Sequence, residues 1–275
     1  MFLSSKSSEF LKWAAQKENN IPKNINEISV EIKDINRATK NEISKIRSTL
    51  DKFNCCLYRS NRDLESNSCL LDFAKAVGMK TFDCNNIEAN EISTISSIKN
   101  EKIQYIPYTN KALNWHTDGY YDKKPLFSWL LHCINPADDG GENYLLDHEL
   151  AMREYVLSYD DIEVLMNKRA ITIPESQGSN RSELSTYIFS FDNDYEKLHM
   201  RFSMRKENIK MSDNTFTAMS KLTDVIENNC SKYSINYKLS KNEGILSNNI
   251  LHGRNSFKDD KVQRKLLRIR SYERL

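Results

Sequence analysis

The sequence predicts a mixed α+β protein, mainly β, in which helices surround a strand-rich core. Amphipathic helical spacing recurs in the first third of the chain, and short apolar segments of strand length dominate from residue 126 onward. No internal repeat or low-complexity linker interrupts the 275 residues. We therefore expect a single domain over residues 1–275, with residues 1–50 as an N-terminal helical extension packed on the core.

Two helices and one strand are predicted before residue 80. The segment "SCLLDFAKAVG" predicts a helix, and its Gly78 suits the left-handed position just past a helix C-terminus. The segment "NCCLYRS" is typical of a short strand. Before it, "NEISKIRSTLDKF" carries one apolar stripe at helical spacing, formed by Ile43, Ile46, Leu50 and Phe53.

The later part of the chain alternates strands with two helical segments. Asp147 is a suitable N-cap for a helix in "LDHELAMREYVLSYDDIEVLMNK". The segment "DNTFTAMSKLTDVIENNC" predicts another helix, with an apolar stripe of Phe216, Met219, Leu222 and Ile226. The predicted strands are "LFSWLLHCIN", "TYIFSF", "LHMRFSM", "SINYKL", "GILSNNIL" and "KLLRIRSY".

Composition excludes several classes of partner. Lys and Arg number 40 against 38 Asp and Glu, so no basic stripe for nucleic acid is expected. No window approaches the roughly 20 apolar residues of a membrane span, and the amino terminus shows no signal peptide, so we expect a cytoplasmic protein. The six cysteines show no metal-ligand spacing and are expected to be free thiols. The oligomeric state is left open.

A histidine and an aspartate stand close together in the aromatic stretch "NWHTDGYYDKK". His116 lies two residues before Asp118, beside Trp115, Tyr120 and Tyr121. Side chains two residues apart on a strand point to the same face, so this pair could bind one metal ion. A hydrogen-bonded surface pair is the alternative. One strand cannot hold a catalytic metal alone, so a third ligand is required.

Two histidines and one carboxylate hold Fe(II) and leave positions open for a co-substrate and O2. The third ligand must be His132, His148, His199 or His252. His252 is preferred because it ends the predicted strand "GILSNNILHGR" and a basic strand follows closely. His132 is expected in the core and His148 at a helix end. For His199, a position near the pocket and a structural role are both left as alternatives.

The basic strand "QRKLLRIR" is expected to place its arginines on one face. By alternation Arg264, Arg268 and Arg270 share a side with Leu266, opposite Leu267 and Ile269. An arginine beside a metal can bind a carboxylate through two parallel hydrogen bonds, which suits a dicarboxylate co-substrate. Solvated strand charges are the alternative for Arg268 and Arg270.

Four motifs in order resemble those of the TauD/TfdA group of Fe(II)- and 2-oxoglutarate-dependent dioxygenases, itself similar to clavaminate-synthase-like and gamma-butyrobetaine-type hydroxylases. They are "NWHTDGYY", "GGEN" at residues 140–143, "NNILHGRNSF" and "QRKLLR". The resemblance covers roughly residues 50–275. It implies a double-stranded β-helix (jelly-roll) core with flanking helices.

The resemblance also implies roles for individual residues. His116, Asp118 and His252 would be the iron ligands and the catalytic centre, and Arg264 would bind the distal carboxylate of 2-oxoglutarate. The family commonly has threonine after its glycine pair, where this sequence has Asn143, whose amide can still donate a hydrogen bond.

Substrate contacts are implied less directly. Arg268 matches a position that grips an anionic group of the substrate in several family members. Trp115 and Tyr120, with Tyr121, are expected either to contact the substrate or to pack as pocket wall.

The implied activity is hydroxylation of an unactivated C–H bond, with O2 consumed and succinate and CO2 released. The expected substrate is a small anion: an amino acid derivative, a sulfonate, or a sugar acid such as Kdo. A non-catalytic jelly-roll protein that binds a small anion or a partner and retains a relic metal site is the alternative. A halogenase lacks the carboxylate ligand, so Asp118 argues against that reaction.

Overall fold

The computed structural model describes Ser4 and residues 7–84, 90–97, 106–175, 181–192, 197–204 and 209–275. These residues form a mixed α+β protein with mainly β content, as predicted. The α-helices in this part are α1 Ser8–Asn19, α2 Lys40–Phe53, α3 Asn67–Val77, α4 His148–Ser158, α5 Ile162–Met166 and α6 Asp213–Asp224. A π-helical turn, Val225–Asn229, continues α6. None of the described helices is long and apolar enough to cross a bilayer.

The strands are short and most belong to the second half of the chain. In order they are β1 Ser29–Ile32, β2 Cys55–Ser60, β3 Ile92–Ile95, β4 Leu113–His116, β5 Ser128–Asn135, β6 Asp139–Gly140, β7 Asn143–Leu146, β8 Ile171–Ile173, β9 Leu184–Thr186, β10 Phe189–Asp192, β11 Lys197–Met200, β12 Ile235–Tyr237, β13 Glu243–Ser247, β14 Leu251–Arg254, β15 Phe257–Lys258 and β16 Lys265–Ser271.

By its internal packing the chain divides into two compact units. The first comprises Met1–Ile21, Trp115–Pro125 and Leu146–Ser234, and the second comprises Pro22–Asn114, Leu126–Leu145 and Ile235–Leu275. The single domain over residues 1–275 stays a prediction. Within residues 1–50, α1 and α2 are helical as expected, but β1 is a strand, so the prediction of a purely helical extension is wrong there.

The second unit is built on a six-stranded sheet in the order β1, β2, β13, β5, β16, β3. The strand β1 runs parallel to β2, and the other neighbouring strands of this sheet are antiparallel. A four-stranded sheet has the order β12, β7, β14, β4. Central strands such as β5 are buried along most of their length, which explains the nearly continuous apolar run in "WLLHC".

Side chains of the six-stranded sheet alternate between two apolar clusters. One cluster packs α2 and α3 against strand residues that include Leu267 and Ile269. The other, called here the Trp129 cluster, contains Trp129, Leu145 and Leu266. Consecutive residues of β16 therefore face opposite sides, as the alternating pattern predicted.

Local signals explain where the helices begin and end. Thr39 and Glu42 form a capping box at the start of α2, whose buried face carries the predicted stripe. Gly78 has a φ of 125° directly after α3, and Asp147 accepts a hydrogen bond from the Glu149 N–H at the start of α4. The predicted stripe of α6 is wrong at Phe216, which is 52% exposed.

The six cysteines are free thiols, as predicted. The segment predicted as one strand in "GILSNNIL" forms β13 and β14 with a turn between them, and the helical segment after Asp147 divides into α4 and α5.

Candidate active site

The His-x-Asp motif lies at the end of β4 in the first unit. His116 is the last residue of that strand, and its Nε2 lies 3.6 Å from Oδ1 of Asp118. The chain reverses directly afterwards, because Gly119 adopts a φ of 63° and its carbonyl accepts a hydrogen bond from the Asp122 N–H. The two side chains lie close together as predicted, but Asp118 lies in the turn after β4 and not on the strand itself.

Backbone hydrogen bonds hold this motif against residues 202–204 of the same unit. The Thr117 N–H donates to the Phe202 carbonyl at 3.0 Å, and the Phe202 N–H donates to Thr117 Oγ1 at 3.0 Å. His116 forms an antiparallel bridge with Ser203. The end of β4 and the turn that contains Asp118 are thus tied to residues 202–204.

His252 lies on β14 in the second unit, and a hydrogen bond fixes its tautomer. Its Nδ1 is 2.8 Å from the Ile250 carbonyl, and its ring packs 4.7 Å from the Trp129 ring. A carbonyl can only accept, so Nδ1 carries a proton, and in the neutral imidazole Nε2 is the nitrogen whose lone pair can bind a metal. Metal-bound histidines commonly donate their other ring N–H to a backbone carbonyl in this way.

The ligand atoms of His116, Asp118 and His252 all lie within 4.8 Å of one another. Two imidazoles and one carboxylate are the donor set of non-heme Fe(II) sites. The tautomer of His252 and the closeness of the three donors fit such an ion.

Arg264 lies in the second unit, one residue before β16, and is only 4% exposed. Burial lowers the pKa of its guanidinium to about 10. Its head group lies 5.0 Å from the Phe257 ring centre, and no carboxylate of the described residues forms a salt bridge with it. An unpaired buried charge is costly, so this site fits an incoming carboxylate.

Sequence reasoning missed a second buried arginine beside Arg264. Arg254 ends β14 and donates hydrogen bonds to the carbonyls of Thr109 and Lys111. Its guanidinium lies 4.7 Å from the Phe257 ring centre, and burial together with the charge of Arg264 lowers its pKa to about 9. The "HGR" motif contains this residue, but only the fold shows that its charge is buried next to another.

The glycine pair allows the backbone to come close to this region. Gly140 pairs with Phe257 between β6 and β15, and a Cβ on Gly140 would lie 2.2 Å from the Ser256 carbonyl oxygen. A Cβ on Gly141 would lie 3.5 Å from Nε of Arg264. The "GGEN" motif therefore forms the backbone beside the Arg264 guanidinium.

Asn143 is buried on β7 opposite Tyr237 of β12. Its Nδ2 donates to the Tyr237 carbonyl at 3.5 Å, which is a weak hydrogen bond. Leu145, two residues further along β7, belongs to the Trp129 cluster, so Asn143 points to that same side. A role for its amide in binding a carboxylate stays a prediction.

Arg268 and Arg270 are both buried on β16, so neither is the solvated strand charge that was the alternative. Arg270 forms a buried ion pair with Asp83, which also accepts a hydrogen bond from the Tyr272 hydroxyl at 3.0 Å. Arg268 lies opposite Leu131 of β5. The strand register shifts between Lys265 and Leu266, so Arg264 lies outside the regular part of β16.

The aromatic residues around the motif are partly buried. The rings of Tyr120 and Tyr121 are 5.0 Å apart and nearly perpendicular, and Arg181 lies 4.8 Å from the Tyr121 ring centre. Trp115 accepts a backbone hydrogen bond from Met204. Substrate contacts by Trp115 and Tyr120 stay predictions.

The other histidines lie outside the ligand cluster in the part of the chain that the structure describes. His132 is a core residue, as predicted: its Nδ1 lies 3.0 Å from the Tyr58 hydroxyl, and burial lowers its pKa to about 4. His148 starts α4, where its Nε2 lies 3.0 Å from the Leu198 carbonyl. His199 is buried on β11 opposite Ser190.

Similar solved structures share this fold. One is asparagine oxygenase in complex with Fe(II), 2S,3S-3-hydroxyasparagine and succinate, which is 11% identical with a TM-score of 0.64 and coverage of 84% of this chain and 78% of that chain. The non-heme iron oxygenase OrfP in complex with Fe and alpha-ketoglutaric acid is 15% identical, with a TM-score of 0.64 and coverage of 86% of this chain and 81% of that chain. PvcB from Pseudomonas aeruginosa is 13% identical, with a TM-score of 0.58 and coverage of 87% of this chain and 82% of that chain.

A family match agrees with the motifs. No curated protein matches the sequence. Residues 19–270 match the taurine catabolism dioxygenase TauD, TfdA family, and this range contains the His116, Asp118 and His252 cluster together with Arg264. Because the match spans most of the chain, the protein belongs to the TauD/TfdA family of dioxygenases.

Proposed function

We propose that this protein is an Fe(II)- and 2-oxoglutarate-dependent dioxygenase that hydroxylates a small anionic substrate and releases succinate and CO2. The observation that carries the proposal is the cluster of His116, Asp118 and His252, with the His252 tautomer suited to a metal. We also propose a double-stranded β-helix core within a single domain, and a cytoplasmic location, on the sequence patterns given above.

Some residues of the chain would hold the iron, and others would orient the co-substrate and the substrate. His116, Asp118 and His252 would hold the iron. When bound, the iron supplies the activation of O2 that couples 2-oxoglutarate decarboxylation to oxidation of the substrate. Trp129 packs on the His252 ring and, with its 1% exposure, shields that ligand from water.

Arg264 would bind the distal carboxylate of 2-oxoglutarate. Its guanidinium is buried without a salt bridge to a carboxylate of the described residues, although the Asp259 carboxylate acts on it from beyond salt-bridge distance, and Arg254 adds a second positive charge beside it. A dicarboxylate would therefore offset positive charge that Asp259 compensates only in part. Asn143 would add a neutral donor if its weak bond to Tyr237 opened.

Arg268 would bind the anionic group of the substrate, with Tyr120 and Trp115 as further contacts. Arg268 is 8% exposed, so a substrate anion that reached it would be shielded from water and held strongly. The structures of asparagine oxygenase and OrfP hold hydroxylated amino acids. Amino acids and their derivatives are therefore the first class to screen, before sulfonates and sugar acids.

Succinate release tests the proposal. Purified protein with Fe(II), ascorbate, O2 and 2-oxoglutarate should form succinate, and a true substrate should accelerate it. His116→Ala, Asp118→Ala and His252→Ala should each abolish this turnover while the circular dichroism spectrum stays that of the wild type. Turnover near the wild-type level in His252→Ala would refute the ligand assignment. Absence of succinate under all conditions would favour the non-catalytic alternative.

A further inference from the structure

One buried arginine of the first unit points into the turn that follows the His-x-Asp motif. Arg201 is 2% exposed and lies directly after β11. Its Nη1 donates to the Tyr120 carbonyl at 3.0 Å and to the Asp122 carbonyl at 2.6 Å. The carbonyls of Gly119 and Lys123 lie 3.5 Å from the guanidinium nitrogens. One side chain thus gathers the carbonyls of the turn around a single positive charge.

The backbone next to Arg201 is tied to the same motif. The Arg201 N–H donates to the Ile188 carbonyl at 2.8 Å, which anchors the residue within its own unit. Phe202 exchanges hydrogen bonds with Thr117, the residue between the two expected ligands. Arg201 therefore contacts the turn with its side chain, while its neighbour contacts the strand through the backbone.

The turn begins one residue after Asp118, so the position of the turn determines where the Asp118 carboxylate lies. Gly119 adopts the left-handed φ of 63°, so the backbone direction changes at the Cα atom next to the ligand. Without the guanidinium, the carbonyls of Tyr120 and Asp122 would lose their buried donor, and the turn would have to open toward water or rearrange. Either change would move the backbone that carries Asp118.

We propose that Arg201 is a positioning residue for Asp118: by holding the carbonyls of Gly119, Tyr120 and Asp122, its guanidinium fixes the backbone that presents the Asp118 carboxylate to the metal. This inference rests on the proposed metal site at His116, Asp118 and His252. Arg201 touches neither metal nor substrate in this account. It acts through the turn.

Arg153 provides a matched control in the same unit. It is also a buried arginine, with 8% exposure, and its Nε donates to the Ala14 carbonyl, but it lies on α4 and contacts α1. Arg153→Met should therefore lower the melting temperature without touching the ligand turn. The comparison with Arg201→Met separates loss of stability from loss of metal binding.

The experiment is a Co(II) titration of the full-length, metal-free protein, followed by visible absorption, whose bands report the coordination geometry. Arg201→Met should weaken Co(II) binding by about 10- to 100-fold and change the band shape, as expected when a group that orients a metal ligand is removed. Arg153→Met should stay within about twofold of the wild type with an unchanged spectrum. If Arg201→Met does not fold, Arg201→Lys replaces it, which keeps the positive charge but not the planar set of guanidinium N–H donors. This variant should weaken Co(II) binding by a smaller factor.

A double variant tests whether Arg201 acts through Asp118. In the Asp118→Ala background, Arg201→Met should weaken Co(II) binding by less than about twofold further, because the ligand that it orients is already gone. Full additivity of the two changes, or wild-type affinity and spectrum in Arg201→Met, would overturn the inference while leaving the metal site intact. Failure of the wild type to bind Co(II) would instead overturn the proposed metal site, and the inference with it.

Discussion

Two buried arginines, Arg201 and Arg264, differ in what the protein provides for their charge. Arg201 in the first unit is surrounded by turn carbonyls within 3.5 Å. Arg264 in the second unit has an aromatic ring and another arginine beside it, and no salt bridge with the described residues. The first charge is stabilised by carbonyls of the folded chain, whereas we propose that the second is stabilised by the carboxylate of a bound ligand. A buried cation without protein acceptors therefore indicates a ligand site more strongly than burial alone.

The largest expected effect is on the co-substrate. Arg264→Ala should raise the 2-oxoglutarate concentration needed for half-maximal succinate formation by roughly 30-fold to several thousand-fold, since loss of one side of a buried charge pair costs about 2 to 5 kcal/mol. Asn143→Ala should cost less, about 1 to 3 kcal/mol, because a neutral donor is lost. A larger effect in Asn143→Ala would show that the carboxylate site is misassigned.

The next effect separates the substrate anion from the co-substrate. Arg268→Ala should reduce the substrate-stimulated part of succinate release by about 10- to 100-fold, and far more than the substrate-free part, because a buried charge partner of the substrate is removed. Measuring succinate with and without substrate decides this. Equal losses of succinate release with and without substrate would show that Arg268 supports co-substrate binding or the fold rather than substrate binding.

The free energy of unfolding should respond differently to the loss of Arg201 and to the loss of Arg264. In buffer without 2-oxoglutarate or phosphate, Arg201→Met should lower the free energy of unfolding by about 1 to 3 kcal/mol, because buried carbonyls lose their donor. Arg264→Met should leave it unchanged or raise it, because a buried charge that has no salt bridge to the described residues disappears. Chemical denaturation measures both. Similar losses in the two variants would remove the contrast between these sites.

A smaller, pH-dependent effect is expected from His132. Its pKa is lowered from 6.5 to about 4 by burial, so between these values the unfolded state binds more protons than the folded state. Stability should then fall as the pH drops from 6.5 toward 4, by up to about 1.4 kcal/mol per pH unit. His132→Gln should flatten this dependence in denaturation curves measured across the window. An unchanged slope would show that other groups cause it.

Local spacing predicted the parts of the site that depend on one strand. His116 and Asp118 lie close together as their spacing predicted, although Asp118 lies in the turn after β4 rather than on the strand, and His252 lies on a strand before the basic segment. Arg201 could not be found this way, because its carbonyl acceptors lie far from it in sequence and carry no side-chain signature. Arg254 was missed for a similar reason, since its acceptors, Thr109 and Lys111, lie in a distant loop.

The same limit applies to the fold. The apolar stripe of α2 and the buried strand β5 were readable from periodicity. The strand β1 was missed because its pairing with β2 is set by tertiary structure rather than by its own pattern. In α6 the buried face includes Thr215 and Ala218, so the helix is rotated and Phe216 points outward.

We propose that the buried Arg264 guanidinium binds the distal carboxylate of the co-substrate. The most direct test of this assignment is an anaerobic calorimetric titration of the Fe(II)-loaded protein with 2-oxoglutarate and, separately, with 2-oxobutyrate, which lacks that carboxylate. We expect the wild type to bind 2-oxoglutarate at least about 30-fold more tightly than 2-oxobutyrate, and Arg264→Met to bind the two compounds with similar affinity. A preference for 2-oxoglutarate that survives in Arg264→Met would contradict the assignment of Arg264 to the distal carboxylate.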